Sequence, residues 1–425
     1  MSTHLYEFRP VALTVDGVGP FQGQPFVFDL TDGDGVPANL YVIVGVNGLG
    51  KTTMLESIAF LVSLLDGDDP ARVEEPSWLR DHPDARLQLD LIIDMDDGEQ
   101  SRGVLSLVAS RDKERAQPQL RTWLPQDLAR FDATWWVQDG FVSPAGLRDR
   151  YRVALHANGE VDVQALRHLD ALRAHIRGAR EARWRSDLAQ PTEDAPSVLF
   201  FTANRDLMCA APTAERSLSR PADWSHALVH RFDSEQGLWS RSLDHLLVWL
   251  DYVDAEARAR GLGPDRFARA CDIVNRHVFA DPNEGPRKRL VRVDRERMEA
   301  VVEVDYGPDR GGVREHRIDR LSGGERSVAQ IFVRVGAHMS LNTLMLIDEA
   351  DIHLHPAWER EMMWALKGLV REHSGLTIIL TTHSMDMLKI YDIHRQETDL
   401  RRGGYILDTA EFTTGRVPTE EGTNG

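Results

Sequence analysis

The stretch that most limits what this chain can fold into is GVNGLGKTT at residues 45–53. It follows an apolar run, Leu40-Tyr41-Val42-Ile43-Val44, and precedes residues 54–61, whose apolar positions have helical spacing. Strand, glycine-rich turn and helix, in that order, are the setting that gives a GxxxxGK[ST] match its physical meaning. Gly45, Gly48 and Gly50 let main-chain N–H groups converge on an anion, because a Cβ would obstruct the turn. The positive end of the following helix adds to that field. The pattern implies a nucleoside triphosphate ligand. Lys51 would reach its β- and γ-phosphates and the Thr52 hydroxyl would face Mg²⁺, with Asn47 and Thr53 completing the loop.

Composition narrows the class. At 425 residues, with 42% hydrophobic and 28% charged residues, the chain reads as a globular protein of two or three domains, or of one domain with large insertions. No apolar run is long enough to span a bilayer, and the opening residues lack a signal-peptide core, so the expected location is cytoplasmic, with no membrane partner. Cys209 and Cys271 are far apart and form no CxxC, which excludes a cysteine zinc hook and a disulfide framework. A formal net charge of −17 weighs against a surface broadly coated by nucleic acid, although a local basic groove stays open.

Along the chain, alternation predicts strands at 8–15, 26–30, 86–95 and 102–109, an apolar patch at 135–137, and a strand at 150–157. Residues 161–189 turn helical and Arg-rich, with Arg173, Arg177 and Arg180 on one face. Residues 198–202 read as a short buried strand, and 234–280 as helical, with a core stripe of Leu243, Leu246, Leu247 and Leu250. Strands are expected near 289–294 and 299–305, and a frayed polar tail from Glu411.

The second group of motifs lies near the C-terminus. LSGGE at 321–325 matches the signature of ABC-class ATPases in full. Gly323 and Gly324 expose main-chain N–H groups at a helix start, which would set Ser322 against a phosphate. Residues 343–347 read as a buried parallel strand ending in Asp348 and Glu349. Asp348 would hold Mg²⁺, and Glu349 would polarise the attacking water as general base. Asp351 follows at the D-loop position. Another apolar strand at 376–380 leads to Thr381-Thr382-His383, which places His383 at the switch-histidine position, a sensor of the γ-phosphate.

Together these motifs resemble the ABC ATPase superfamily. Lys51 and Ser322 lie more than half the chain apart, far beyond the interval in transporter subunits. Such an insertion is typical of the SMC, RecF and OLD-like branch. The run Asp348-Glu349-Ala350-Asp351-Ile352-His353-Leu354-His355-Pro356 resembles the form common in OLD-type AAA/ABC ATPases, where His353 and His355 are read as structural. The resemblance covers about 1–65 and 285–408. It implies an α/β P-loop NTPase core with an ABC-type β subdomain and a mainly helical inserted lid. The domain reading is an N-terminal lobe at 1–145, a lid at 146–285, a C-terminal lobe at 286–410 and a tail at 411–425.

The resemblance further implies ATP and Mg²⁺ as cofactors, and a head-to-tail homodimer or higher homo-oligomer, since in this class each signature faces a triphosphate held by the other subunit. No TOPRIM nuclease module is recognisable after His383, so an effector, nuclease or toxin, is expected as a separate chain. That arrangement resembles stand-alone ATPase subunits of bacterial anti-phage systems, of the PtuA or AriA kind. A RecF/SMC-like repair or chromosome-maintenance ATPase, with DNA as partner, stays open. A transporter's ATPase subunit fits the spacing least.

The Gln-loop position is ambiguous. Asn204, after the strand at 198–202, is one candidate and Gln88 another, although Gln88 lies within a strand and would face solvent. Arg205 would contact nucleotide or a partner subunit. The Arg-rich helix 167–185 and Pro286-Arg287-Lys288-Arg289 are candidate basic patches. The acids Glu160, Asp162, Asp170 and Glu181 make the helix more a solvated charged face than a DNA groove.

Overall fold

The pattern of apolar alternation and turn residues maps onto the elements of the computed structural model. It describes residues 3–66, 76–111, 120–143, 146–155, 163–185, 194–205, 216–221, 224, 227–233, 239–262, 265–279, 287–392 and 400–407. Two compact units divide the chain. The first is Met1–Ile176 with Ile379–His383 and Arg401–Gly425, and the second is Arg177–Ile378 with Ser384–Leu400.

The first unit opens with β1 (His4–Asp16), β2 (Phe26–Asp29), β3 (Leu40–Gly45) and α1 (Lys51–Ser63). There follow β4 (Arg86–Asp96), β5 (Gln100–Ser110), α2 (Pro125–Phe131), β6 (Thr134–Ser143), β7 (Gly146–Leu155) and α3 (Val163–Arg185), whose last turns enter the second unit. A six-stranded sheet runs β2-β1-β4-β5-β6-β7. Its pairs are antiparallel except β5 with β6, which run parallel because α2 makes the crossover between them. On one face Val11, Ile92, Val104 and Val108 pack with Trp123, Leu128 and Phe131, the last two from α2.

Within this sheet a buried polar network replaces apolar contact. Gln88 donates to Asp90 Oδ1 at 2.9 Å and accepts from the main-chain N–H groups of Leu120 and Arg121 at 2.8 and 3.1 Å. Gln88 is therefore fully buried, contrary to the expectation that it faces solvent, and its amide is held by its own sheet and the 120–121 loop.

The second unit begins with β8 (Ser197–Phe201), β9 (Val229–Phe232), α4 (Leu243–Ala259) and α5 (Arg266–His277). It continues through β10 (Arg287–Asp294), β11 (Glu299–Asp305), β12 (Val313–Arg317), α6 (Gly323–His338), β13 (Thr343–Ile347) and α7 (Pro356–Glu372). The chain leaves this unit within β14 (Thr377–Thr382), returns for α8 (Met385–Asp392), and ends in β15 (Arg402–Leu407) of the first unit. There β15 pairs parallel with β3, in a register that sets Leu407 beside Gly45.

In the second unit β13 pairs parallel with β8, and β8 with β9. Every residue of β8 and β13 is buried, as expected of strands covered on both faces. The expected helical stretch at 234–280 is two helices. Gly261, in the left-handed region at φ 71, ends α4, and the Leu262 N–H reaches back to the Ala257 carbonyl at 2.9 Å. Leu243, Leu246, Leu247 and Leu250 of α4 are buried, as their spacing predicts.

The stretch 146–285, expected as an inserted lid, is mostly helix among its described residues. Yet β7 pairs with β6 across the expected boundary at 145, and β8 and β9 join β13. Short apolar runs are buried on both sides only beside other strands, so these segments become parts of sheets rather than of a separate insert. The tail from 411 lies outside the described residues.

Candidate functional site

The P-loop half belongs to the first unit. Buried β3 delivers the chain into Gly45, and Val46, Asn47 and Gly48 are exposed at the turn. Gly48 and Gly50 have φ of 84° and 85°, the region glycine occupies without steric cost. At Gly50 a Cβ would also lie 2.6 Å from the Phe21 ring, so the close approach itself requires glycine. Gly50 is the N-cap of α1 and provides no side-chain cap. The first turn of α1 thus presents main-chain donors at its positive end. Lys51 is buried, and its ammonium donates to the carbonyls of Gly45 and Val46 at 2.8 and 3.0 Å, folded over its own loop. Thr52 is exposed and Thr53 half-buried, its carbonyl accepting from the Ser57 hydroxyl at 2.6 Å. Glycine turn, cation and uncapped helix end form a donor set that fits a polyphosphate. His383 closes β14 in the same unit and is half-buried.

The acidic half belongs to the second unit. β13 ends at Ile347, and Asp348 is buried, its N–H donating to the Phe201 carbonyl at 2.8 Å. Glu349 is half-buried and adopts φ 45, a left-handed backbone that a non-glycine residue occupies at some cost. Its carbonyl accepts from the Ile352 N–H at 2.9 Å, and Asp351's from the Leu354 N–H at 3.1 Å, which winds the D-loop into consecutive tight turns. His355 is the N-cap of α7, its Nδ1 accepting from the Ala357 N–H at 3.3 Å, with Pro356 in the first turn. This is a structural role for His355. Among the described residues no group of three or more His, Cys, Asp or Glu gathers as a metal site.

The signature turn is also in the second unit. Ser322 is exposed and caps α6 through a reciprocal pair. Its hydroxyl accepts from the Glu325 N–H at 3.4 Å, and the Glu325 carboxylate accepts from the Ser322 N–H at 2.9 Å. Glu325 is buried and paired with Lys288 of β10. At Gly324 a Cβ would fall 2.4 Å from the Trp358 ring of α7, so this glycine is required by the helix packed against it.

Sequence reasoning named Arg205 and Lys288 without finding their partners, and missed Trp358. Arg205, expected to contact nucleotide or a partner subunit, is tied to its own chain. It is buried, and its guanidinium donates to the main-chain carbonyls of Thr202 at 3.0 Å, of Asp348, and of Glu349 at 2.6 Å. Burial lowers its pKa to about 10, against the opposing pull of Asp348, Asp351 and Glu349. Asn204 beside it is exposed. Lys288 was grouped with Arg287 and Arg289, but strand alternation sends it to the opposite face, toward Glu325. That period of two was the available signal. Trp358 had none.

Arg287 and Arg289 are exposed on β10, with acids of β11 in register beside them. In register, Arg289 lies beside Glu303, and Arg292 pairs with Glu315 at 2.8 Å. On α3, Arg173 is buried, Arg180 half-buried and Arg177 exposed, so they are not a common solvated face. Burial pushes the Cys271 thiol up to about 12, as suits an inert core cysteine, and Cys209 lies outside the described residues.

A strand running into a glycine-rich loop and helix, and a buried parallel strand ending in paired acids, define an α/β P-loop NTPase fold. Residues 212–388 match the family described as "AAA domain, putative AbiEii toxin, Type IV TA system". That span holds the signature and the acid pair and begins after the P-loop. No curated protein matches the chain. Among solved structures, the chain is similar to an Smc head bound to the C-winged helix domain of ScpA, at 14% identity and a TM-score of 0.42, covering 90% of this chain and 92% of that one. It is also similar to the SMC head domain from Thermotoga maritima, at 13% identity and a TM-score of 0.35, with 90% and 92% covered. A third is the Smc head domain with an extended coiled coil bound to the C-terminal domain of ScpA derived from Pyrococcus furiosus, at 15% identity and a TM-score of 0.35, again covering 90% and 92%. Among the described residues no helix is long and apolar enough to cross a membrane.

Proposed function

We propose that this chain binds and hydrolyses ATP with Mg²⁺ at composite sites, each completed by a second copy in a head-to-tail homodimer. We further propose that the cycle controls a separate effector, a nuclease or toxin, in anti-phage defence. The observation that supports composite sites is the signature turn. Ser322 is exposed at the positive end of α6, while Glu325 behind it is buried and held by Lys288 and by the cap itself. Such a turn is rigid and open to an anion from outside its own unit.

In this reading Lys51 and the N–H groups of residues 45–53 hold the triphosphate. Thr52 and Asp348 are the residues that would hold Mg²⁺, which supplies charge neutralisation at the phosphate oxygens. Glu349 takes a proton from the attacking water. His383 reports the γ-phosphate, Asp351 meets the second copy, and Asn204 stands in the Gln-loop role. The toxin and type IV toxin–antitoxin wording of the matched family supports a defence setting.

The test is ATP turnover per molecule against protein concentration, for wild type and for Ser322→Arg. Turnover should rise with concentration to a plateau. Ser322→Arg should bind a fluorescent ATP analogue normally yet lose turnover by about a hundredfold. Turnover that ignores both concentration and the substitution would remove the composite site. Strong stimulation by DNA, fading steeply with salt, would favour a repair or chromosome-maintenance role instead.

A further inference from the structure

Arg205 is a buried guanidinium whose hydrogen bonds to Thr202, Asp348 and Glu349 all go to main chain. Its fork joins the end of β8, through Thr202, to the end of β13, through Asp348 and Glu349. Its Nε–H has no hydrogen-bond partner. The carboxylates of Asp348, Asp351 and Glu349 favour the cation, yet burial outweighs them, its hydrogen bonds go to main-chain carbonyls rather than to those acids, and one donor is unused.

What the fork does hold is unusual. Glu349 has a left-handed backbone, and its carbonyl accepts from both Arg205 and the Ile352 N–H. Two donors on one carbonyl fix the plane of the Glu349–Ala350 peptide. The bond to the Asp348 carbonyl fixes the preceding plane, and with both planes set, Glu349's φ and ψ have little freedom left. The direction of its Cα–Cβ bond follows. A planar fork can span these acceptors; an ammonium cannot hold the same geometry.

We propose that Arg205 is a positioning residue for hydrolysis: by clamping the carbonyls of Thr202, Asp348 and Glu349, it holds the left-handed backbone that aims the Glu349 carboxylate and shapes the D-loop entrance. The catalytic half of this statement rests on Glu349 acting as the base. The clamp itself does not.

Two measurements on the full chain test it. Amide hydrogen exchange without nucleotide should be about tenfold faster at Ile352 and Leu354 in Arg205→Met, with the β13 amides unchanged. In steady-state ATPase assays Arg205→Met should lower kcat by about 10–100-fold while KM for ATP stays within about threefold. Arg205→Lys should recover part of kcat, and should it be the only variant that folds, its kcat must still fall below wild type at unchanged KM. Wild-type exchange at 352 and 354 in Arg205→Met overturns the clamp, as does faster exchange spread through all of β8 and β13, which would make Arg205 a folding residue only. Wild-type kcat in Arg205→Met overturns the positioning role when Glu349→Gln is inactive. If Glu349→Gln turns over like wild type, the base assignment fails, and the exchange result alone then judges the clamp.

Discussion

Individual side chains in this protein act through the charge they place and the main chain they hold. Lys51 bonds its own loop carbonyls, contacts that a triphosphate would replace with stronger charge-assisted ones. Lys51→Ala should therefore abolish binding of a fluorescent ATP analogue. Glu349→Gln should leave binding intact and stop turnover, because the amide keeps the shape and loses the basicity. Another single group sets a pH dependence. Asp244 is buried in α4 with its carboxylate accepting from the Ala300 N–H at 2.7 Å. Burial raises its pKa from 3.8 to about 6, the hydrogen bond only partly offsetting this. The native state thus holds this proton more tightly than the unfolded chain, and the stability it contributes is lost as pH rises from about 4 through about 6. Asp244→Asn keeps the acceptor and removes the charge. Its Tm relative to wild type should be higher at pH 7.5 than at pH 5, and a constant difference between those pH values would contradict the assignment.

At the scale of elements, α6 is set by its first turn. The Ser322–Glu325 cap satisfies donors that a helix start leaves open, and the pair with Lys288 ties that turn to β10. Glu325→Ala should lower stability by about 1 kcal/mol, the usual cost of losing a cap, in a chemical denaturation series. Gly324→Ala should cost more, about 1–3 kcal/mol, because the new methyl meets the Trp358 ring and α6 or α7 must shift. Combining Gly324→Ala with Trp358→Leu should restore part of that loss, which isolates the steric term.

On the scale of the whole molecule, the proposed completion of each site by a second copy would make activity a function of concentration. Turnover should follow the dimer population, and Glu349→Gln with ATP should run at twice the monomer mass in light scattering. Much of the fold was legible beforehand. The P-loop, the signature and the acid strand are contiguous, and each depends on local backbone needs: glycine at positive φ, a reciprocal cap at residues 322 and 325, a fully apolar strand at 343–347. Other features were opaque because they join residues distant in the chain. Gln88 reads as a surface residue until the 120–121 loop folds over it, and Arg205 reads as a contact for nucleotide or a partner subunit until β8 lies beside β13. No local pattern announces that a guanidinium will end on the carbonyl of a residue 144 positions away. By itself, then, the order of residues determined the glycine turn, the capped helix start and the apolar strand that ends in two acids, since those demands are met within a few neighbouring residues. Only the tertiary structure decided which side chain bonds the Glu349 carbonyl, because that contact exists only once two parallel strands have brought their ends together.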